Sequence, residues 1–215
     1  MEPALAAAGA IVTAVAAAEV LRARTARAAI LGLAATLVLS PLALPSPPPA
    51  LPLAFWLLCA LLATYLLLLG VRATPPLLAP LPLAGWTEIA FVVFGLAVGW
   101  LVAPVLGPAR GPASALAAGV AVGAASLPLL LFSRDALRAG VGAILVLDAA
   151  GLMATAFTGN PGQAEIAALA LAILGAAEAA REVLVQEAQR SASVAPDPEP
   201  RRSDMDRPIE TGPGS

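Results

Sequence analysis

The fold is decided by the stretch Leu131–Gln186, which reads LFSRDALRAGVGAILVLDAAGLMATAFTGNPGQAEIAALALAILGAAEAAREVLVQ. It predicts two apolar helices, each with one acidic residue deep in an uncharged sequence. Sixteen uncharged residues follow Asp148, and twelve uncharged residues precede Glu178. A carboxylate in hydrocarbon costs several kcal/mol unless it is neutralised, so such residues are rare and usually face a protein interior or a hydrated path. These two acids are therefore the main indication of function.

The composition is that of a membrane protein. The chain has 215 residues, of which 60% are hydrophobic and only 12% charged, whereas a soluble domain has about 25% charged residues. There is no histidine, and the single cysteine, Cys59, has no partner for an internal disulfide. Without a Cys/His cluster, a nucleotide-binding glycine loop or a nucleophile elbow, we expect no metal, no cofactor and no catalytic residue.

Seven segments are long enough to cross a hydrocarbon core of ~30 Å, which requires ~20 apolar residues. They are Ala4–Leu21, Ala26–Leu44, Leu51–Val71, Gly85–Leu106, Ala113–Phe132, Ala136–Phe157 and Gln163–Val185. The second is the least regular, because Pro41 and Pro45 shorten or kink its far end, and a count of six spans stays open. The sequence thus predicts an all-α, polytopic transmembrane helix bundle with about seven spans.

Three regions are predicted along the chain. About four amino-terminal transmembrane helices occupy residues 1–112, and a three-helix unit occupies 113–190. Residues 191–215 are rich in proline, serine and charges of both signs, and they lack the apolar surface that offsets backbone entropy. We therefore expect a disordered cytoplasmic tail.

The arginines predict the orientation, since short loops rich in arginine stay in the cytoplasm. Alternate loops hold all but one of the loop arginines: Arg22, Arg24, Arg27, Arg72, Arg134 and Arg138. The opposite loops hold only Arg110. A multi-pass protein of the inner (plasma) membrane is expected, with its amino terminus outside and its carboxyl terminus in the cytoplasm.

The two membrane acids can be interpreted in two ways. Asp148 and Glu178 could form a proton path, in which a carboxyl group alternately takes up and releases a proton. Alternatively, each is a buried carboxylic acid satisfied by a neighbouring helix. If the two helices face each other, the carboxyls are offset by roughly one to two turns, too far for a direct hydrogen bond.

Other charged residues near the span ends are supporting candidates at most. Glu19 lies three residues before Arg22, and Glu88 lies near the start of the fourth span. Acids at the membrane interface are usually solvated or paired with arginine, and we expect this of Glu88 in particular. Arg134 and Arg138 lie one turn apart at the start of the sixth span, where they could tune the carboxyls or bind a partner subunit.

The stretch from about Ala113 to Arg190 resembles a known family, the K subunit of bacterial complex I (NADH-quinone oxidoreductase), which is related to the C subunit of multisubunit cation/proton antiporters. The matching motifs are Ser133–Arg138, Gly142, Asp148-Ala149 with Leu152, Asn160–Gln163 and Gly175–Ala180. With about four helices ahead of this unit, the chain is similar in layout to component E of hydrogenase-4.

The resemblance implies an integral membrane subunit of a complex-I-like or hydrogenase-4-like proton-translocating assembly. It assigns Glu178 as the channel glutamate, whereas Ile144 stands where the family has its middle-helix glutamate and Asp148 lies one turn further outward. The expected partners are the lipid bilayer and antiporter-like membrane subunits, and not nucleic acid. A cation/proton antiporter subunit and a structural membrane scaffold are the alternatives.

Overall fold

The computed structural model describes residues 3–44, 46, 48–72, 85–106, 112–133, 135–159 and 162–194. These residues form a helical bundle, which confirms the predicted all-α architecture. Its α-helices are α1 (Pro3–Arg22), α2 (Ala26–Leu39), α3 (Ala50–Val71), α4 (Gly85–Val102), α5 (Ala113–Leu131), α6 (Ala136–Thr158) and α7 (Gln163–Val194). Short 3-10 segments extend α2 and α4 at Ser40–Ala43 and Ala103–Leu106.

Among the described residues, six helices are long and apolar enough to cross a membrane, namely α1 to α6 with their 3-10 extensions. The chain is therefore a multi-pass membrane protein. The seventh helix is present where we predicted it, but its uncharged run from Ile166 to Ala177 spans only about 18 Å.

The far end of α7 differs from the prediction. The helix continues to Val194, beyond the predicted end at Val185 and into the first residues of the expected tail. Glutamate, glutamine, alanine and arginine predominate between Glu182 and Arg190, and these residues favour a helix that continues into water. The remainder of the predicted tail, 195–215, lies outside the described residues.

The end of α2 is set by proline, as the sequence predicts. Pro41 has no backbone N–H to continue the helix, so α2 stops at Leu39 and the chain tightens into the 3-10 segment. The Trp56 indole of α3 donates a hydrogen bond of 2.8 Å to the Leu37 carbonyl at this end of α2. Ser40 is thereby held in the interior, with 2% of its surface exposed.

The three-helix unit packs into the bundle and is not set apart from it. Helix α5 lies centrally and contacts α1, α4 and α6, while α7 lies against both α3 and α6. Helices α6 and α7 run antiparallel and approach closely where Gly140 meets Ala180 and Gly151 meets Leu169. Glycine permits this approach because a Cβ at either position would overlap the facing side chain.

The arginines of the described residues lie together at one end of the bundle. Arg138, at the start of α6, donates a hydrogen bond of 3.3 Å to the carbonyl of Ala23 in the α1–α2 turn. At the opposite end, the Ser114 hydroxyl at the start of α5 donates one of 2.7 Å to the Ala43 carbonyl. The arginine-bearing end is thus distinct from the end where α2, α6 and α7 meet.

The outer surface is apolar along most of its height. Large hydrophobic side chains are exposed on α3 and α4 in particular, among them Leu51, Leu58, Leu61, Trp86, Phe94, Leu101 and Val105. A contiguous apolar surface of this kind is unfavourable in water and matches a bilayer. The chain contacts the lipid bilayer.

Candidate functional site

Asp148 lies in the middle of α6 and is the most deeply buried acid in the described chain, with 1% of its surface exposed. The Ser40 hydroxyl of the 3-10 segment after α2 is a polar neighbour that interacts with its carboxyl. Its second oxygen, Oδ2, is buried and has no hydrogen-bond partner among the described residues. The sequence predicted that this acid lies in the membrane, and the fold brings Ser40 next to it.

The Ser40 hydroxyl has one proton and two nearby acceptors. Its Oγ lies 3.2 Å from the Leu37 carbonyl, to which it donates in the observed geometry. If Asp148 is ionised, the same proton must turn to the carboxylate. If Asp148 is protonated, its O–H can donate to Oγ while Ser40 still donates to Leu37. The protonated carboxyl therefore satisfies this short chain of hydrogen bonds better, and it removes a buried charge.

A cleft of about 360 Å³ reaches Asp148 from the end where α2 and α6 stop and α7 begins. Its walls are mostly apolar, and its polar lining residues are Ser40, Asp148, Thr155, Thr158 and Glu165. The two threonine hydroxyls each donate 2.9 Å hydrogen bonds to carbonyls of their own helix. Glu165 accepts a hydrogen bond of 3.0 Å from the Gly162 N–H and so caps α7. Asp148 thus lines a cleft whose other polar groups are largely occupied, and its unsatisfied Oδ2 is itself buried.

Glu178 occupies a different environment. Its side chain is 40% exposed, and it accepts a hydrogen bond of 2.5 Å from Arg181, one turn further along α7. Arg181 in turn packs against Gly70 near the end of α3. The carboxylate assigned by resemblance as the channel glutamate is therefore a half-buried, ion-paired group near the arginine-bearing end.

The structure does not bring Asp148 and Glu178 together. The contacts between α6 and α7 place Asp148 level with residue 172, so Glu178 lies about 9 Å further along the bundle. Helix α7 contacts α6 through Leu169 and Ala180. Viewed down the axis of α7, Glu178 lies about 160° from Ala180, on nearly the opposite side of the helix. The axial offset agrees with the predicted one to two turns, but the two carboxyls do not face each other.

A second buried polar group lies at the arginine-bearing end. Arg138 is 4% exposed; one Nη donates to Ala23, and its Nε lies 4.0 Å from Asp135. Its Nε and other Nη have no hydrogen-bond partner within the described part of the chain. Glu88, in the first turn of α4, is only 7% exposed, and Arg138 is the charge that acts on it most strongly.

Glu88 is the residue whose importance the sequence interpretation missed. We expected a solvated or arginine-paired acid at the interface, and the structure buries it beside Arg138. The sequence feature that could have indicated this burial is the apolar run Ile89–Val102, which begins directly after Glu88. The position of α4 in the sequence could not show that its first turn is buried and that the charge of Arg138 acts on Glu88 there.

The remaining candidates are at the surface or outside the described chain. Glu19 and Arg22 form an ion pair of 3.4 Å, with side chains 60% and 52% exposed. Pairs of this kind contribute little to stability. Arg134 lies outside the described residues. The described residues contain no group of three or more His, Cys, Asp or Glu side chains that could hold a metal ion.

Comparisons of the chain with protein-family models, with curated proteins and with solved structures found no match.

Proposed function

We propose that this chain is a non-catalytic membrane subunit of a proton-translocating assembly, and that Asp148 exchanges the proton. The observation that carries the proposal is the burial of Asp148, at 1% exposure, with one carboxyl oxygen unpartnered among the described residues. An intramembrane acid is by default a functional residue, because its burial costs free energy that packing alone does not require.

The surroundings of Asp148 support exchange between two states. In the protonated state the carboxyl can donate to Ser40, which donates to the Leu37 carbonyl. In the ionised state the Ser40 proton turns to the carboxylate, which remains stabilised by one donor. The cleft offers a route for the proton to and from the end of the bundle opposite the arginines.

The three-helix unit supports a place in a complex-I-like or hydrogenase-4-like assembly. The stretch that resembles the K subunit corresponds to α5, α6 and α7, which are consecutive and in mutual contact through α6. In such an assembly the neighbouring membrane subunits are antiporter-like, and electron-transfer cofactors reside in other partners. The proposed location is the inner (plasma) membrane.

The proposed orientation has the amino terminus outside and the carboxyl terminus in the cytoplasm. It is supported by the collection of Arg22, Arg24, Arg72 and Arg138 at one end of the bundle, because arginine-rich ends remain in the cytoplasm. The cleft of Asp148 then opens toward the outside, and Glu88 with Arg138 lies on the cytoplasmic side.

Glu178 is the second carboxyl of the proposed path, near its cytoplasmic end. It lies about 9 Å along the bundle from Asp148 and on another side of α7. A proton passing between them requires water or a group of a partner subunit. Its half-exposed position suits contact with such a partner.

The test measures proton translocation by the assembled complex in proteoliposomes with a pH-sensitive dye. We expect Asp148→Asn and Glu178→Gln each to lower translocation while the subunits still assemble, and Glu19→Gln to serve as a surface control without effect. Unaltered pumping by Asp148→Asn would overturn the proposal. Loss of assembly in both acid variants would instead indicate a structural scaffold.

The identity of the assembly is tested by the proteins that co-purify with the chain in mild detergent. Hydrogenase-like or quinone-reductase-like peripheral subunits support the proposed assembly. Recovery of antiporter subunits alone would favour a cation/proton antiporter.

A further inference from the structure

We propose that the cleft beside Asp148 binds a small amphiphilic amine, a molecule with an apolar body and one amino group that bonds to the Asp148 carboxyl. This inference does not depend on the proposed proton path, because it concerns equilibrium binding to the chain alone. It rests on three features of the cleft: its size, its walls and Asp148, whose Oδ2 has no hydrogen-bond partner among the described residues.

The size and the walls define the body of the ligand. A volume of about 360 Å³ falls in the range of small-molecule sites, which are mostly apolar with few polar groups. The apolar walls include Pro41, Leu44, Leu53, Trp56, Leu152 and Leu169. An aromatic or short alkyl body is favoured there because it removes apolar surface from water on both sides.

The polar groups of the cleft define the head of the ligand. Thr155 and Thr158 donate to their own helix, and Glu165 accepts from the Gly162 N–H. Asp148 is left with an oxygen that has no donor among the described residues. Because Oδ2 is covered in the observed rotamer, the carboxyl turns toward the cleft when the ligand binds. The site therefore selects a ligand with a hydrogen-bond donor.

Charge balance favours an amine over other donors. A neutral amine enters from the bilayer and meets the protonated Asp148 carboxyl. The O–H proton moves to the nitrogen, giving an ammonium–carboxylate pair with no change in total charge. A charge-assisted hydrogen bond of this kind is roughly twice as strong as a neutral one. An alcohol of the same shape fills the same space but forms only the neutral bond.

The test is isothermal titration calorimetry of the purified full chain in detergent micelles with 2-phenylethylamine and with its neutral counterpart 2-phenylethanol. Titrations into empty micelles are subtracted. We expect the amine to bind at least about 10-fold more tightly than the alcohol. Asp148→Asn should remove this preference while leaving alcohol binding unchanged.

A second variant keeps the test decisive if Asp148→Asn does not fold. Ala154 is exposed in the wall of the cleft, so Ala154→Phe fills the cleft without entering the core. It should abolish binding of both compounds, whereas Gly175→Ala, away from the cleft, should not change either. Equal affinity for amine and alcohol, or amine binding that survives Ala154→Phe, would overturn the proposal. Amine binding in a complex whose pumping is insensitive to Asp148→Asn would refute the proton path alone.

Discussion

The Ser40 hydroxyl interacts with the Asp148 carboxyl, so the end of α2 meets the middle of α6. The two residues are 108 positions apart in the sequence. Helix α2 stops at Leu39, and Ser40 begins the buried 3-10 segment that contains Pro41. This interaction connects the amino-terminal helices to the acid that we propose to be functional, and it suggests how the acid contributes to stability.

Replacement of Asp148 by leucine should stabilise the bundle. The carboxyl is buried and incompletely hydrogen-bonded, and such a group costs roughly 1–3 kcal/mol relative to an apolar side chain of similar size. We expect Asp148→Leu to raise the free energy of unfolding by about that amount, measured by circular dichroism in mixed micelles containing a denaturing detergent. Asp148→Asn keeps the polarity and is the matched control. A large destabilisation by leucine would mean that the carboxyl is needed for packing.

Glu88 should stabilise the fold through Arg138. Removing Glu88 leaves the buried Arg138 with Asp135, 4.0 Å away, as its remaining acidic neighbour, and weaker compensation of a buried cation is destabilising. Because Glu88 and Arg138 interact without a direct ion pair in the described contacts, we expect Glu88→Gln to lower the free energy of unfolding by about 1–3 kcal/mol.

The matched control for this prediction is Glu19→Gln, which removes an acid from an exposed ion pair. It should change the free energy of unfolding by less than about 1 kcal/mol. The double variant Glu88→Gln/Arg138→Met should recover most of the lost stability, because it also removes the buried cation that Glu88 compensates. Equal effects of the two glutamate variants would show that Glu88 is solvated.

Two glycines should respond in opposite directions to the same substitution. A Cβ at Gly99 of α4 would overlap the backbone of Ala117 in α5, so Gly99→Ala should destabilise the bundle by about 1–3 kcal/mol. A Cβ at Gly175 of α7 meets no described atom within 4 Å. Gly175→Ala should therefore be stabilising, by roughly 0.5–1 kcal/mol, since alanine favours the helix. Unfolding in mixed micelles measures both, and stabilisation by Gly99→Ala would contradict the observed α4–α5 contact.

The proposed orientation predicts which surface positions are reachable from outside the cell. In a Cys59→Ala background, a cysteine at Gln163 should react with a membrane-impermeant maleimide in intact cells. A cysteine at Arg24 should react only after the cells are permeabilised. Both positions are exposed in the structure, so a difference in labelling reports the side of the membrane. The reverse pattern would invert the orientation.

The sequence determined the class of the protein and the position of its helices. Runs of about 20 apolar residues are sufficient for this, because the backbone must satisfy its hydrogen bonds within each segment in hydrocarbon. The same local reasoning predicted that Pro41 and Pro45 shorten or kink the far end of the second span, and it identified Asp148 and Glu178 as acids in apolar surroundings.

Only the tertiary structure decided how the acids differ. Asp148 is buried next to Ser40, whereas Glu178 is half exposed and paired with Arg181. Both acids have similar apolar neighbours in sequence, but exposure depends on which side of its helix a residue occupies and which helix lies against that side. The burial of Glu88 follows from the same cause, since it depends on how α4 packs against α1 and α5. A stretch of alanine and leucine is nearly uniform around its axis, so such a sequence specifies the helix but not the direction in which each side chain faces.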